Sequence, residues 1–352
     1  MYPALAVLQF LKTDTNNGDF FWMGSKKGLE YPAVTSAGVR FHSVPAGKLR
    51  RYFSLSNFID LFRIAGSFFA SMVILMKHRP DAMFSKGGFV SVPPVWAAAL
   101  LRIPVVSHES DLHPGLATRL NAPFSKTVCV GYDVTAAVMG PKYRDRTVVT
   151  GNPVRKEVFE ANPERGIAAL GLTESERAKP LIMVIGGSQG AKAVNEMITR
   201  NIKELSSAYT IVHQTGDAHA DKHSRSESYY PKGFFKDEHL DLIAAADLVI
   251  GRSGAGTLWE CACIGTPMLL IPLSTGSSRG DQIQNARYFE EAGAARILME
   301  EHGSDFLETV QGIMSDGGGL SAMSTALKRI AKHDAAALIG RIILDLVRGG
   351  SR

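Results

Sequence analysis

One stretch constrains this chain more than any other: five apolar residues, Leu181-Ile182-Met183-Val184-Ile185, run into Gly186-Gly187-Ser188-Gln189-Gly190-Ala191 and then into a helical pattern at Lys192. A continuous apolar run of this length reads as a parallel strand buried on both faces. Gly186, Gly187 and Gly190 let the backbone turn tightly, and the amides around Ser188 stand at the start of the next helix. Unpaired amides and the positive end of a helix dipole favour a phosphate or diphosphate there. A glycine turn alone is common in structural roles, so its neighbours must carry the rest.

The same strand-turn-helix rhythm recurs through the 352 residues. Apolar strands are read at Phe20 to Met23, Val39 to Val44, Ala82 to Ser85, Val105 to Ser107 and Thr127 to Val130, each followed by a helical stretch. This alternation predicts an α/β fold of doubly wound parallel sheets, whose ligands bind beyond the carboxyl ends of the strands. The length suits two domains. Gly151-Asn152-Pro153-Val154-Arg155 breaks the rhythm, giving a first domain over 1–150 and a second over 151–334. The apolar face of Ala335 to Val347 suggests a C-terminal helix, 335–352, packing back on the first domain.

Chemistry-bearing residues gather at the strand ends. In the first domain the strand at Ala82 ends in Ser85-Lys86-Gly87-Gly88-Phe89, and another ends in Ser107-His108-Glu109-Ser110-Asp111, with His113 beyond. A histidine and two carboxylates at a strand end suit proton transfer or hydroxyl binding. In the second domain, Leu248-Val249-Ile250 runs into Gly251-Arg252-Ser253-Gly254-Ala255-Gly256, and the helix that follows carries Glu260. Two anion-holding turns with a carboxylate nearby suit a nucleoside diphosphate, with Glu260 accepting both ribose hydroxyls. A purely structural Glu260 would face solvent. Asp281, Gln282 and Asn285, at the start of a further helix, suit sugar hydroxyls or a helix cap. Arg155 is placed to reach a cleft between the domains.

Several features exclude or narrow function classes. Cys129, Cys261 and Cys263 cannot form a disulfide framework and read as buried thiols in a reducing cytosol. His219 and His223 lack a third ligand and read as a solvated face, so no metal site is expected. The formal charge of +5 fits an anionic partner such as nucleic acid, phosphate ligands or an anionic membrane face, and equally a soluble protein with a basic surface. The segment from Phe58 to Met76 is the most apolar, but Asp60 and Arg63 within it argue against a spanning helix. With Lys48, Arg50 and Arg51 ahead of it, and Phe53, Phe58, Phe62, Phe68, Phe69 and Met72 along it, the segment suits either packing on the sheet or resting on an anionic bilayer.

Taken together, PALAV at Pro3, KGGFVSVPP at Lys86, HESDLHPGLATR at His108, TGNPVR at Thr150, GGSQGAKAVNE at Gly186, HQTG at His213, SGAGTLWE at Ser253 and GDQIQNA at Gly280 resemble, in order, the motifs of the MurG family of bacterial N-acetylglucosaminyltransferases. The resemblance implies the GT-B arrangement, two Rossmann-like domains facing a cleft. It implies transfer of GlcNAc from UDP-GlcNAc to the undecaprenyl-linked acceptor of peptidoglycan synthesis, lipid I to lipid II, by an inverting reaction without a metal ion or other cofactor. By that resemblance Arg155, Gly187, Ser188, Gln189, Gly254, Glu260 and Gln282 bind UDP-GlcNAc. Gly88, Phe89 and His108 line the acceptor side, with His108 and Asp111 as catalytic candidates. The protein would sit peripherally on the cytoplasmic face of the plasma membrane, with other cell-wall enzymes as possible partners and no role for nucleic acid.

Two departures qualify the resemblance. Family members carry a first strand and a GGTGGH turn ahead of PALA, and a sheet without that strand would leave two buried edges unpaired. The expectation is a natural product that begins upstream, or else a degenerate copy that binds UDP-GlcNAc without transferring it. HESD also stands where many relatives have HEQN, which leaves the role of Asp111 open. A UDP-GlcNAc epimerase shares the architecture and is the third reading.

Overall fold

The structure, a computed structural model, describes residues 1–15, 18–27, 30–45, 47, 56–186, 191–274 and 280–350. The chain divides into two compact units, Met1–Arg155 with Asp334–Arg352, and Lys156–His333. The crossover falls after Arg155, five residues later than the glycine and proline turn suggest. Gly151, Asn152, Pro153 and Val154 are buried, and the first unit holds them: the Gly151 carbonyl meets His108, and the Asn152 side chain accepts from Ser110.

In the second unit the strands are β7 (Leu181–Ile185), β8 (Thr210–Gln214), β9 (Tyr229–Lys232), β10 (Leu248–Gly251), β11 (Met268–Leu270) and β12 (Ala295–Ile297). They are all parallel, in the order β12-β11-β10-β7-β8-β9. Every residue of β7, β8 and β10 is buried, as the apolar runs require. Ile182, Val184, Ile211, Leu248, Ile250 and Leu269 form one face of the core, and Val194, Ile198 and Phe306 cover it from the helices. Strand β9 is not among the strands read from the sequence: Tyr229 and Tyr230 are buried there, and Pro231 is tolerated at a sheet edge.

The first unit, with strands β1 (Phe21–Gly24), β2 (Arg40–Ser43), β3 (Met83–Ser85), β4 (Val105–Glu109), β5 (Thr127–Val130) and β6 (Thr147–Val149), is organised differently. Its parallel strands form two pieces, β1-β2 and β3-β4-β5-β6. A cavity of about 290 Å³ is lined by both β1 and β3, through Phe21, Trp22, Met23, Met83 and Phe84, with Val7, Leu11, Leu75 and Ile343 from the helices. The first helix, Tyr2–Asp14, packs on the C-terminal helix, Ala335–Gly350; Val7, Leu11, Ile339 and Ile343 share a core with Val106 and Cys129. The apolar segment forms the helix Ser56–His78. Its inner stripe, Asp60, Ser67, Ser71 and Leu75, is buried and recurs every four or seven residues.

Candidate functional site

The two central strands of the second sheet, β7 and β10, set the site. Strand order reverses between them, so the connections leaving their carboxyl ends diverge and open a crevice where ligands of such sheets bind. Their pairing is close: a Cβ on Gly251 would stand 2.5 Å from the Ile185 carbonyl oxygen, so only glycine fits at the end of β10. Each strand feeds a helix, Lys192–Arg200 after β7 and Ala255–Ile264 after β10, and the residues at their N-caps, Ala191 and Gly254, offer no side-chain oxygen to the first amides. Those amides are donors for an anion. Gly187, Ser188 and Gln189 lie outside the described residues.

Glu260 is buried, not on the solvent side of its helix. A carboxylate oxygen lies 3.9 Å from His239 Nε2, and the His239 ring stacks on Phe234 at 6.5 Å between centroids and 8° between planes. Gly254 is the residue before that helix. Gln282 is brought to the same place: its carbonyl oxygen accepts the Leu273 N–H at 3.1 Å, and its backbone carbonyl accepts from Ser253 Oγ at 2.7 Å. Besides that carbonyl oxygen, the Gln282 side chain carries two amide N–H donors. Asn285, considered for sugar hydroxyls, donates to the Ser253 carbonyl at 3.4 Å and so ties its helix to the end of β10. The Ser253 bond thus brings Gln282 beside Gly254, and Glu260 lies on the helix that Gly254 precedes.

In the first unit, Gly87 and Gly88 follow β3 with φ of 87° and 84°, a pair of left-handed residues that explains the double glycine. Phe89 opens the short helix after them and is half-buried. Burial lowers the affinity of the Lys86 ammonium for its proton, and the nearby charges of Glu109 and Asp111 oppose that effect. At the end of β4, Glu109 accepts from the Asp111 N–H at 3.0 Å, the Gly115 N–H at 2.9 Å and Thr118 Oγ1 at 2.6 Å. One carboxylate therefore holds the whole loop from Ser110 to Thr118, a structural task that the residue pattern alone did not reveal.

His108 is buried, with Nε2 at 3.0 Å from the Gly151 carbonyl oxygen, so Nε2 carries the proton. Its Nδ1 has no hydrogen-bond partner among the described residues. Burial, with Lys86 nearby, pushes its pKa down to about 3, so the imidazole is neutral. Asp111 is half-buried on the loop that Glu109 holds. Arg155 stands at the end of the first unit with its guanidinium 4.7 Å from the centre of the Tyr2 ring.

His223 departs from the solvated face expected of it and of His219. His223 Nδ1 lies 3.2 Å from Tyr229 Oη, and its ring meets His213 edge-on at 5.3 Å. Among the described residues no group of three or more His, Cys, Asp or Glu is placed to hold a metal ion. The three cysteines are buried, and burial raises each thiol above its ordinary range.

Comparison with known proteins agrees with this anatomy. Residues 1–130 match the glycosyltransferase family 28 N-terminal domain, and residues 181–339 match its C-terminal domain. A curated relative from Treponema denticola, named UDP-N-acetylglucosamine--N-acetylmuramyl-(pentapeptide) pyrophosphoryl-undecaprenol N-acetylglucosamine transferase, is 41% identical over 86% of this chain and 81% of its own length. A Legionella pneumophila protein of the same name is 38% identical over 93% of this chain and 89% of its own. Among solved structures, Acinetobacter baumannii MurG superposes with a TM-score of 0.74 at 22% identity, covering 98% of this chain and 95% of that one. A UDP-GlcNAc 2-epimerase from Neisseria meningitidis superposes at 0.69 with 13% identity, over 98% and 96% of the two chains, so the fold alone does not separate the two activities.

Proposed function

This chain belongs to the family 28 glycosyltransferases of the MurG group, and from that premise we propose how its two units divide the reaction. The chain is an N-acetylglucosaminyltransferase that moves GlcNAc from UDP-GlcNAc to undecaprenyl-diphospho-muramoylpentapeptide, converting lipid I to lipid II in peptidoglycan synthesis. The second unit takes the donor. Its diphosphate is assigned to the N-terminal end of the Lys192 helix, with Gly187, Ser188, Gln189 and Gly254 assigned to the donor on the family resemblance. Glu260 accepts the ribose hydroxyls and Gln282 donates to the donor's oxygens. Arg155 is assigned to UDP on the family resemblance.

The first unit takes the acceptor against Gly88, Phe89 and the loop after β4. Asp111 is the better base than His108. His108 is buried with its Nε2 committed to the Gly151 carbonyl, whereas Asp111 is a half-buried carboxylate on the loop that Glu109 holds. Asp111 removes the proton from the acceptor hydroxyl as that oxygen bonds to the anomeric carbon, and the bond from that carbon to UDP breaks. Oriented amides stabilise the charge that develops on the leaving diphosphate. His108 holds the ends of β4 and β6 together through Gly151.

The helix Ser56–His78 supplies contact with an anionic membrane surface, which a lipid-linked acceptor requires. Its outer stripe exposes Phe62 at 74%, Phe69 at 66% and Val73 at 61%, with Met76 following, while the opposite stripe is buried in the unit. The helix is long and apolar enough to cross a bilayer by length and composition. Asp60, buried on the inner side and paired with Arg63 at 3.1 Å, favours a helix lying on the surface. The unit then rests on the cytoplasmic face of the plasma membrane.

The buried carboxylate of Glu260 at the strand-order reversal carries this reading, and substitution tests it. Glu260→Ala lowers UDP-GlcNAc affinity in a calorimetric titration by about 10- to 150-fold, the worth of hydrogen bonds to a charged acceptor. An unchanged affinity would remove Glu260 from the donor site.

A further inference from the structure

The HQTG motif is not used by the donor and acceptor assignments above, yet its side chains are fully engaged. Asn195, one turn into the Lys192 helix, donates from Nδ2 to the Thr215 carbonyl at 2.9 Å. That bond turns Asn195 Oδ1 toward His213 Nε2, 3.1 Å away, so Nε2 must carry the proton. His213 Nδ1 is then an acceptor, and it receives the Tyr229 hydroxyl at 2.9 Å. The Tyr229 oxygen in turn accepts from His223 Nδ1 at 3.2 Å. The relay has one consistent direction, from His223 through Tyr229 and His213 to Asn195 and the Thr215 carbonyl. Burial keeps its central imidazole neutral, with a pKa near 3.

The other residues of the motif hold the same strand end. The Gln214 carbonyl accepts the Gly186 N–H at 3.3 Å, Gln214 Oε1 accepts the Phe235 N–H at 3.2 Å, and the Thr215 N–H donates to the Lys232 carbonyl at 3.0 Å. The end of β8 is thereby tied to the end of β7, to β9 and to the first turn of the Lys192 helix. Rotation of a helix about its axis changes where its terminal amides point, and Asn195 is the side chain of that first turn joined to the strand end.

We propose that His213 and Asn195 are positioning residues that set the rotation of the Lys192 helix, and with it the aim of its N-terminal amides at the diphosphate of the nucleotide sugar. The inference rests on the donor site assigned above. Neither side chain touches the ligand; both act through the helix. His213 is a tautomer-locked donor in this arrangement, and a glutamine, whose Nε2 also donates, can replace that one bond.

The test measures UDP affinity of the full chain by calorimetry, each variant held well below its own unfolding midpoint. His213→Leu removes the bond to Asn195 and weakens UDP binding about tenfold; His213→Gln restores it to within about threefold. Asn195→Ala gives the same loss from the helix side and serves if the leucine variant does not fold. The double variant is no weaker than either single one, since one linkage has been broken. Folded His213→Leu or Asn195→Ala protein that binds UDP as tightly as the parent would overturn the proposal while leaving the donor site intact. A parent chain that takes up no UDP at all would overturn both.

Discussion

The two units carry the same strand-turn-helix alternation and build opposite kinds of site. The second has six parallel strands in one sheet, and of its proposed donor residues Gly254 and Glu260 follow β10 directly, while Gln282, on the helix after β11, is bonded to Ser253 just beyond β10. In the first, the strands fall into a pair and a quartet flanking a cavity, and a loop held by the Glu109 carboxylate presents the candidate base. A sheet end can fix a ligand through backbone amides alone. A loop needs a buried side chain to hold it, and this loop has spent one of its two carboxylates that way. Binding should therefore reside in the second unit and proton transfer in the first, and each part of that contrast can be attacked separately.

The largest effect is expected at Asp111. Asp111→Asn removes the base and lowers turnover by about 10²- to 10⁴-fold, with UDP affinity unchanged. His108→Gln, which keeps a donor for the Gly151 carbonyl, should cost far less. If UDP affinity fell in step with turnover for Asp111→Asn, the division between the units would not hold. A smaller effect is expected on the outer stripe of the Ser56 helix. Replacing Phe62 and Phe69 together with serine weakens binding to vesicles containing anionic lipid by about tenfold or more, since each ring gives up part of a burial worth about 1.5–3 kcal/mol. Thermal stability changes little, because the rings are already exposed. Equal vesicle binding would return this helix to a purely packing role.

The smallest effect belongs to the second unit and concerns stability alone. Glu176 is buried and accepts from the Thr173 N–H, the Tyr230 hydroxyl and the Ser228 N–H, the first of these weighing most, and its pKa is lowered from 4.5 to about 2. A carboxyl whose pKa is depressed by folding stabilises the folded state above its ordinary pKa and loses that contribution as pH falls through the folded value. Glu176→Gln should therefore unfold a few degrees below the parent above about pH 5, and the gap should close toward pH 2. Transfer activity of the folded variant stays as it was. A gap that widened on acidification would contradict the assignment.

Much of this contrast was legible in the residues. Apolar runs such as Leu181–Ile185 and Leu248–Ile250 mark buried strands without ambiguity. The short edge strands were harder to read. Tyr229 and Tyr230 sit in a polar, histidine-rich neighbourhood, and Ala295–Ile297 carries an arginine in only three residues. Side-chain partnership was hidden for a different reason. Glu109 binds donors two, six and nine residues away, a local pattern that a carboxylate beside a histidine does not announce. His223 faces His213 through a tyrosine, so its helical spacing from His219 misled. Helical periodicity could not show that Glu260 turns inward, because the group beside it, His239, belongs to another helix. The basic residues Lys48, Arg50 and Arg51, with Phe53, lie outside the described residues.

The central claim is acceptor-dependent transfer, and the most direct measurement is release of UDP from UDP-GlcNAc by the full chain, with and without the undecaprenyl-diphospho-muramoylpentapeptide acceptor. The account predicts UDP release only when the acceptor is present, matched by a product heavier by one N-acetylglucosamine. Conversion of the nucleotide sugar without acceptor, or binding with no release in either case, would contradict it.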